Sequence, residues 1–248
     1  MPRKPKRGPK NKNILMAFVP VSKTLGIDIE WNKPKNLRNA AARKTWLKKA
    51  LVEAKQIKLD LESGRLKAHE MPGRIIENPD RKLISEVEAH RFEKELLKRE
   101  KSLLTERDFI DLFGELEHCL TSWDLQKCRA IFCKMKRLKI TKMMLLRNPD
   151  CVHKMRVLRD FGGDVKEFNE DDMSIRQNAT ELYANFKKIF GKNPDTEDSF
   201  WSDFCEQAET FKVLTKDMRK IFRTTLCDQG YKRLQDTKAS TSAASKVS

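Results

Sequence analysis

Apolar residues recur along this chain at spacings that change from one stretch to the next. In residues 14–35, "ILMAFVPV" and "IDIEW" read as short strands or partly ordered segments, interrupted by Pro20 and Pro34. From Leu37 the pattern turns helical. Trp46, Ala50, Ala54, Ile57 and Leu61 form a narrow stripe, and Gly64 supplies a stop. A loop with Pro72 and Gly73 follows, and Asn78-Pro79 then predicts a helix start that runs to about Ser102. Its apolar residues, Leu83, Val87, Leu96 and Leu97, are too sparse for a buried helix. A solvated or loosely docked helix is predicted there, because a coiled-coil seam is not sustained over heptads.

The pattern tightens from Thr105. "TERD" is a near capping box, followed at helical spacing by Phe109, Phe113, Leu116 and Leu120. Ser122-Trp123-Asp124 breaks that helix, and Asp124 can cap the next, whose stripe is Leu125, Cys128, Phe132, Met135 and Leu138. Thr141 caps a short turn of helix with Met143, Met144, Leu145 and Leu146. Asn148-Pro149 starts a helix that buries Val152, Met155 and Leu158 and ends at Phe161-Gly162-Gly163. After an acidic loop comes a strong helix with the stripe Ile175, Ala179, Leu182, Phe186 and Ile189. Five helices with short connections predict an all-α fold centred on a compact five-helix bundle. Long charged helices and disordered termini flank it.

Composition divides the rest. Of 248 residues, 39% are hydrophobic and 35% charged, too polar for one continuous core of that length. The expected organisation is a basic, largely disordered arm at 1–36, a charged helical region at 37–104 and the bundle at 105–191. Accessory helices at 192–235 and a disordered tail at 236–248 complete it. The net charge of +16 points to polyanions, with nucleic acid or chromatin the first partner class to consider. Arg3, Lys4, Lys6, Arg7, Lys10 and Lys12 in the N-terminal arm are the candidate nucleic-acid contacts, or else a nuclear import signal. No stretch reaches the length of a membrane-spanning helix, so no membrane partner is expected.

Six cysteines contain no C-x-x-C pair, and no metal site is expected. Reduced, buried thiols are the predicted state, and a nuclear location fits them. No P-loop, Gly-rich nucleotide fingerprint, G-x-S-x-G or His/Asp/Ser arrangement occurs. The chain is therefore read as a non-enzyme without cofactors.

The stretch 105–190 resembles the integrase-binding domain of the lens-epithelium-derived growth factor and hepatoma-derived growth factor-related family. That domain is one of the transcription factor IIS N-terminal-type helical bundles. The resemblance rests on "DLQKC", the L-K-I-T turn before "MMLL", the helix ending in "LRDF", and "ATELYANFKKIF". It implies an adaptor that grips short peptides of nuclear proteins, in which an acidic run accompanies two phenylalanines. The implied grip uses two loops at one end of the bundle, the first from Leu120 to Asp124 and the second from Phe161. Phe161 falls on the family's exposed aromatic, and Arg159 on a basic position that meets acidic peptide residues. The first loop is shorter than the family's, and Thr121 or Trp123 takes the gripping position while Asp124 aligns with a helix cap. The second loop is longer and acidic, with Val165 in the role of the apolar contact. Residues 1–104 show no PWWP domain of the kind found in full-length relatives.

The expected function is thus a nuclear adaptor for acidic, phenylalanine-containing motifs of chromatin or transcription proteins. The alternative is direct DNA or RNA binding through the basic arm and helices. "DTEDSFWSDF" at 195–204 itself combines acids with two phenylalanines. Either it folds back on the Phe161 loop and competes with partners, or Phe200 and Phe204 pack on the bundle as an extra helix.

Overall fold

Four consecutive buried residues, Ile14–Ala17, form strand β1, and period-2 alternation sends them to two different cores. β1 pairs antiparallel with β2 (Leu25–Asp28), with Met16 opposite Gly26. β2 pairs with β3 (Ile75–Glu77), giving a sheet of order β1-β2-β3. The computed structural model describes residues 13–21, 24–37, 39–160, 170–193 and 199–244. The strand alternative for residues 14–35 is therefore the one that forms, and the sheet is an addition to an otherwise helical fold.

Leu15 and Ala17 face helix α1 (Ala40–Glu62), whose stripe of Ala50, Ala54, Ile57 and Leu61 is buried on them. Ile14 and Met16 face the other way and meet Phe92. Phe92 lies in α2 (Glu86–Thr121). Gly26 is required between the strands: a Cβ there would lie 2.8 Å from Ile14 Cγ2 and 3.1 Å from the Pro79 ring.

The charged character of residues 86–99 has a structural use. β1 is a sheet edge, and its backbone is closed by side chains: Met16 N–H donates to Glu88 at 2.6 Å, and Arg91 donates to the Met16 carbonyl at 3.1 Å. Phe18 N–H donates to Glu62. Glu95 joins Lys58, Arg91 and Arg99. Burial opposes ionisation of Glu95, but hydrogen bonds from Lys58, then Arg99 and Arg91, hold its carboxyl down at about 2. Because the folded value lies below the unfolded one, the stabilisation is complete above about pH 5 and is lost as pH falls toward 2. Glu95→Gln is expected to remove most of that acid dependence, about 2 kcal/mol, in urea titrations at pH 7 and pH 3.

The helix start expected at Asn78-Pro79 lies later, at Glu86. Asn78 has φ +44°, and Ser85 caps α2 instead, its hydroxyl accepting from Glu88 N–H. The break expected at Thr105 is absent: α2 runs through it, and the Thr105 hydroxyl donates back to the Lys101 carbonyl. Nothing between Ser102 and Asp108 is a breaker, so the near capping box sits inside a continuing helix.

The chain divides into two units, 1–99 with 217–248, and 100–216. In the first, α8 (Lys220–Thr225) places Phe222 in the α1 core, and α9 (Asp228–Ala244) packs against α1. Helix thus occupies residues 236–244, where a disordered tail was expected. The second unit begins within α2 and continues as α3 (Leu125–Arg137), α4 (Lys142–Arg147), α5 (Pro149–Arg159), α6 (Glu170–Ile189) and α7 (Phe200–Leu214). Its core is the predicted stripes: Phe109, Phe132, Phe186, Leu116, Met135 and Leu182 are all buried to within 1% exposure. Phe109 meets Phe113 edge-to-face at 4.9 Å, and α5 packs along α6.

Asn148 departs from its expected role as a side-chain cap. Its amide donates to Glu106 at 2.9 Å and to the Met144 carbonyl at 2.8 Å. Arg147 donates to the same Glu106 through Nε at 2.8 Å and Nη2 at 2.6 Å. A buried carboxylate from α2 is thereby satisfied by the α4–α5 corner. Phe200 and Phe204 are each 1% exposed and pack on Tyr183 and Phe190. Of the two alternatives for that segment, these residues take the extra-helix packing.

Candidate functional site

The turn after α2 is set by backbone hydrogen bonds. Asp124 N–H donates to the Cys119 carbonyl at 2.9 Å and Trp123 N–H to the Leu120 carbonyl at 3.3 Å, the paired bonds of a Schellman ending. The residue at its centre adopts the left-handed conformation and is usually glycine. Here it is Trp123, with φ +57° and 46% of its surface exposed. A bulky side chain in that conformation costs about 1–2 kcal/mol, and such strain concentrates where a site needs it.

Asp124 is the N-cap of α3. Its carboxylate accepts from Lys127 N–H at 3.2 Å and pairs with Lys127 Nζ at 3.3 Å. The backbone hydrogen bond first, then the side chain, lower its pKa. The Thr121 hydroxyl donates to the Glu117 carbonyl and stays exposed. Arg159 pairs with Asp160 at 3.2 Å, and its guanidinium lies 5.3 Å from the centre of the Tyr183 ring. Phe161 and Val165, and the arm residues Arg3, Lys4, Lys6, Arg7, Lys10 and Lys12, lie outside the described residues.

Beside this turn, α2 and α5 leave a groove of about 440 Å³ between them. One wall is Phe113, Leu116, Glu117, Leu120 and Thr121; the other is His153, Lys154, Val157 and Leu158. Of the residues singled out by sequence, Leu120 and Thr121 line the groove, and Trp123 and Asp124 follow within the same turn. Arg159 closes the same helix as Val157. Lys154 pairs with Glu117 across the two helices, which raises the Lys154 pKa through that hydrogen bond. Leu158, expected in the core, is only half buried because it faces the groove.

The α5 wall was missed by sequence reasoning. Val157 falls off the buried Val152/Met155 stripe and is 54% exposed. An apolar residue off the stripe of an otherwise clear amphipathic helix is the signal that could have found it.

Cys119, Cys128 and Cys151 are buried free thiols, and burial pushes the Cys151 thiol up to about 12. Among the described residues, no group of three or more His, Cys, Asp or Glu is placed to hold a metal ion. No described helix is long and apolar enough to cross a membrane.

No curated protein and no solved structure matches the chain. A family model does: lens epithelium-derived growth factor (LEDGF), over residues 106–214, a span that takes in α7 as well as the bundle read from sequence. Helical bundles of this type are non-catalytic protein-interaction domains. Residues 106–214 thus carry the LEDGF match, in line with the resemblance to an integrase-binding domain over 105–190.

Proposed function

We propose that the protein is a nuclear adaptor that docks short peptides, acidic and carrying phenylalanines, at the α2–α3 turn and the end of α5. The observation that carries this reading is the groove between α2 and α5, apolar at its base and followed immediately by a half-exposed, strained Trp123. Phenylalanine side chains fit an apolar groove of this volume. Lys154 and Arg159 on α5 supply the cations that an acidic run needs, in exchange for their own partners Glu117 and Asp160. The contact residues would be Leu120, Thr121, Trp123, Asp124, Val157 and Arg159, with Phe161 and Val165 beyond them.

Val157→Asp puts a charge into the groove at an exposed position. It is expected to weaken binding of a fluorescent peptide with an acidic run and two phenylalanines at least tenfold in anisotropy titrations. The circular dichroism spectrum should stay unchanged. Wild-type affinity in this variant would remove the groove from the reading. Phe161→Ala, tested beside it, is expected to act in the same direction.

The excess charge favours a second activity. Residues 100–216 hold 20 Lys and Arg against 21 Asp and Glu, whereas the other unit holds 32 against 15. Association with chromatin, or direct nucleic-acid binding, is assigned to that first unit, with the arm residues Arg3, Lys4, Lys6, Arg7, Lys10 and Lys12 as contacts.

A further inference from the structure

The positive excess of the first unit is not spread evenly over its helices. Between Glu30 and Glu53 the sequence has seven Lys and Arg and no acidic residue. This run covers the first half of α1. Residues 39–49 are all exposed except Trp46, which is partly buried on the sheet core. Buried anchoring begins at Ala50 and continues through Ala54, Ile57 and Leu61. Among residues 39–49 only Trp46 thus reaches the core, and the rest of this stretch presents an acid-free surface. No carboxylate in that stretch offsets its Arg and Lys, so the surface matches a polyanionic partner.

The wheel orders these charges. At about 100° per residue, Lys44, Lys48 and Lys55 fall within about 40° of one another, on the side away from the buried stripe. Lys49 flanks them. Among the described residues, none of Lys44, Lys48, Lys49 and Lys55 is paired with a carboxylate. This contrasts with the same unit's interior, where Lys58, Arg91 and Arg99 are all engaged by Glu62, Glu88 and Glu95. The exposed apolar residues of this half, Leu47 and Val52, lie about 140° apart, so no apolar stripe exists to enter a lipid surface.

We infer that one face of α1, from Lys44 to Lys55, is a contact surface for double-stranded DNA, with Lys44, Lys48 and Lys55 on backbone phosphates and the helix lying at the major groove. A helix with its side chains, about 10–12 Å across, enters the major groove of B-form DNA. The deep, narrow major groove of an RNA duplex does not admit it, which favours DNA. The inference rests on the charge-driven association proposed above and moves its centre from the N-terminal arm to α1.

The test is titration of the full chain into a labelled DNA duplex of about 20 base pairs, two helical turns, across a range of salt. The triple variant Lys44→Gln, Lys48→Gln, Lys55→Gln is compared with a matched charge control in the other unit. That control is Lys134→Gln, Arg137→Gln, Lys139→Gln, all exposed positions. The α1 variant is expected to weaken binding at least tenfold and to lower the salt slope by about 3, while the control stays near wild type. Circular dichroism should be unchanged in both. DNA binding by the α1 variant equal to wild type would overturn the assignment to α1 and leave the broader charge reading intact. Equal losses in both variants would reduce the effect to net charge and overturn it too. Tighter binding of the wild-type chain to an RNA duplex would overturn the inference but not the nucleic-acid reading, whereas failure to bind either duplex, or tighter binding to phosphatidylserine vesicles, would overturn both.

Discussion

Arg147→Met is expected to lower the unfolding free energy by about 3–5 kcal/mol, the largest loss of any single polar substitution in the bundle. The guanidinium holds Glu106 by two short bonds, and both side chains are about 10% exposed or less. Removing it strands a buried carboxylate whose other donor is the Asn148 amide. Pairing the change with Glu106→Met should return much of the loss, because two apolar side chains leave no unpaired charge. A double-mutant cycle in urea measures this directly. A single-variant loss under about 1 kcal/mol would mean that the pair is solvated rather than structural.

Trp123 gives the second large effect, and here stability and binding are expected to part. Both Trp123→Gly and Trp123→Ala should weaken peptide binding by about 2 kcal/mol or more, roughly thirtyfold, as loss of a central aromatic anchor does. Yet the glycine variant should be the more stable of the two by about 1 kcal/mol, since only glycine adopts φ +57° without a Cβ penalty. Equal stabilities would show that the turn relaxes. Full peptide affinity in both would show that the ring is held for the fold alone.

The sequence made the bundle legible because its helices are short, amphipathic and separated by real breakers. Cys128, Phe132 and Met135 on α3, and Ile175, Ala179, Leu182 and Phe186 on α6, repeat at helical spacing and are buried where expected. Asp124 and Thr141 cap the helices that their positions predicted. The other unit was less legible because long-range contacts decide it. β3 is three residues long and carries no period of its own; it exists only because Ile75 finds Ile27. Phe222 reads as one more amphipathic position until it is seen filling the α1 core. Residues 86–99 looked too polar to dock because their acids and bases satisfy one another and the β1 backbone, a pairing that composition does not display.

At the site, a loop was legible but its geometry was not. Ser122-Trp123-Asp124 signalled a break, whereas the left-handed Trp123 follows from the Schellman bonds. The α5 wall of the groove is defined by which residues α2 leaves uncovered, a tertiary property.

The central claim is that peptides dock where α2 turns into α3 beside α5. The most direct measurement is an amide and indole NMR titration of the full chain with a peptide carrying an acidic run and two phenylalanines. The expected result is a set of saturable shifts confined to residues 113–124 and 153–159, including the Trp123 indole. Saturable shifts elsewhere on the chain with none in these two segments, or no shifts at all, would contradict it.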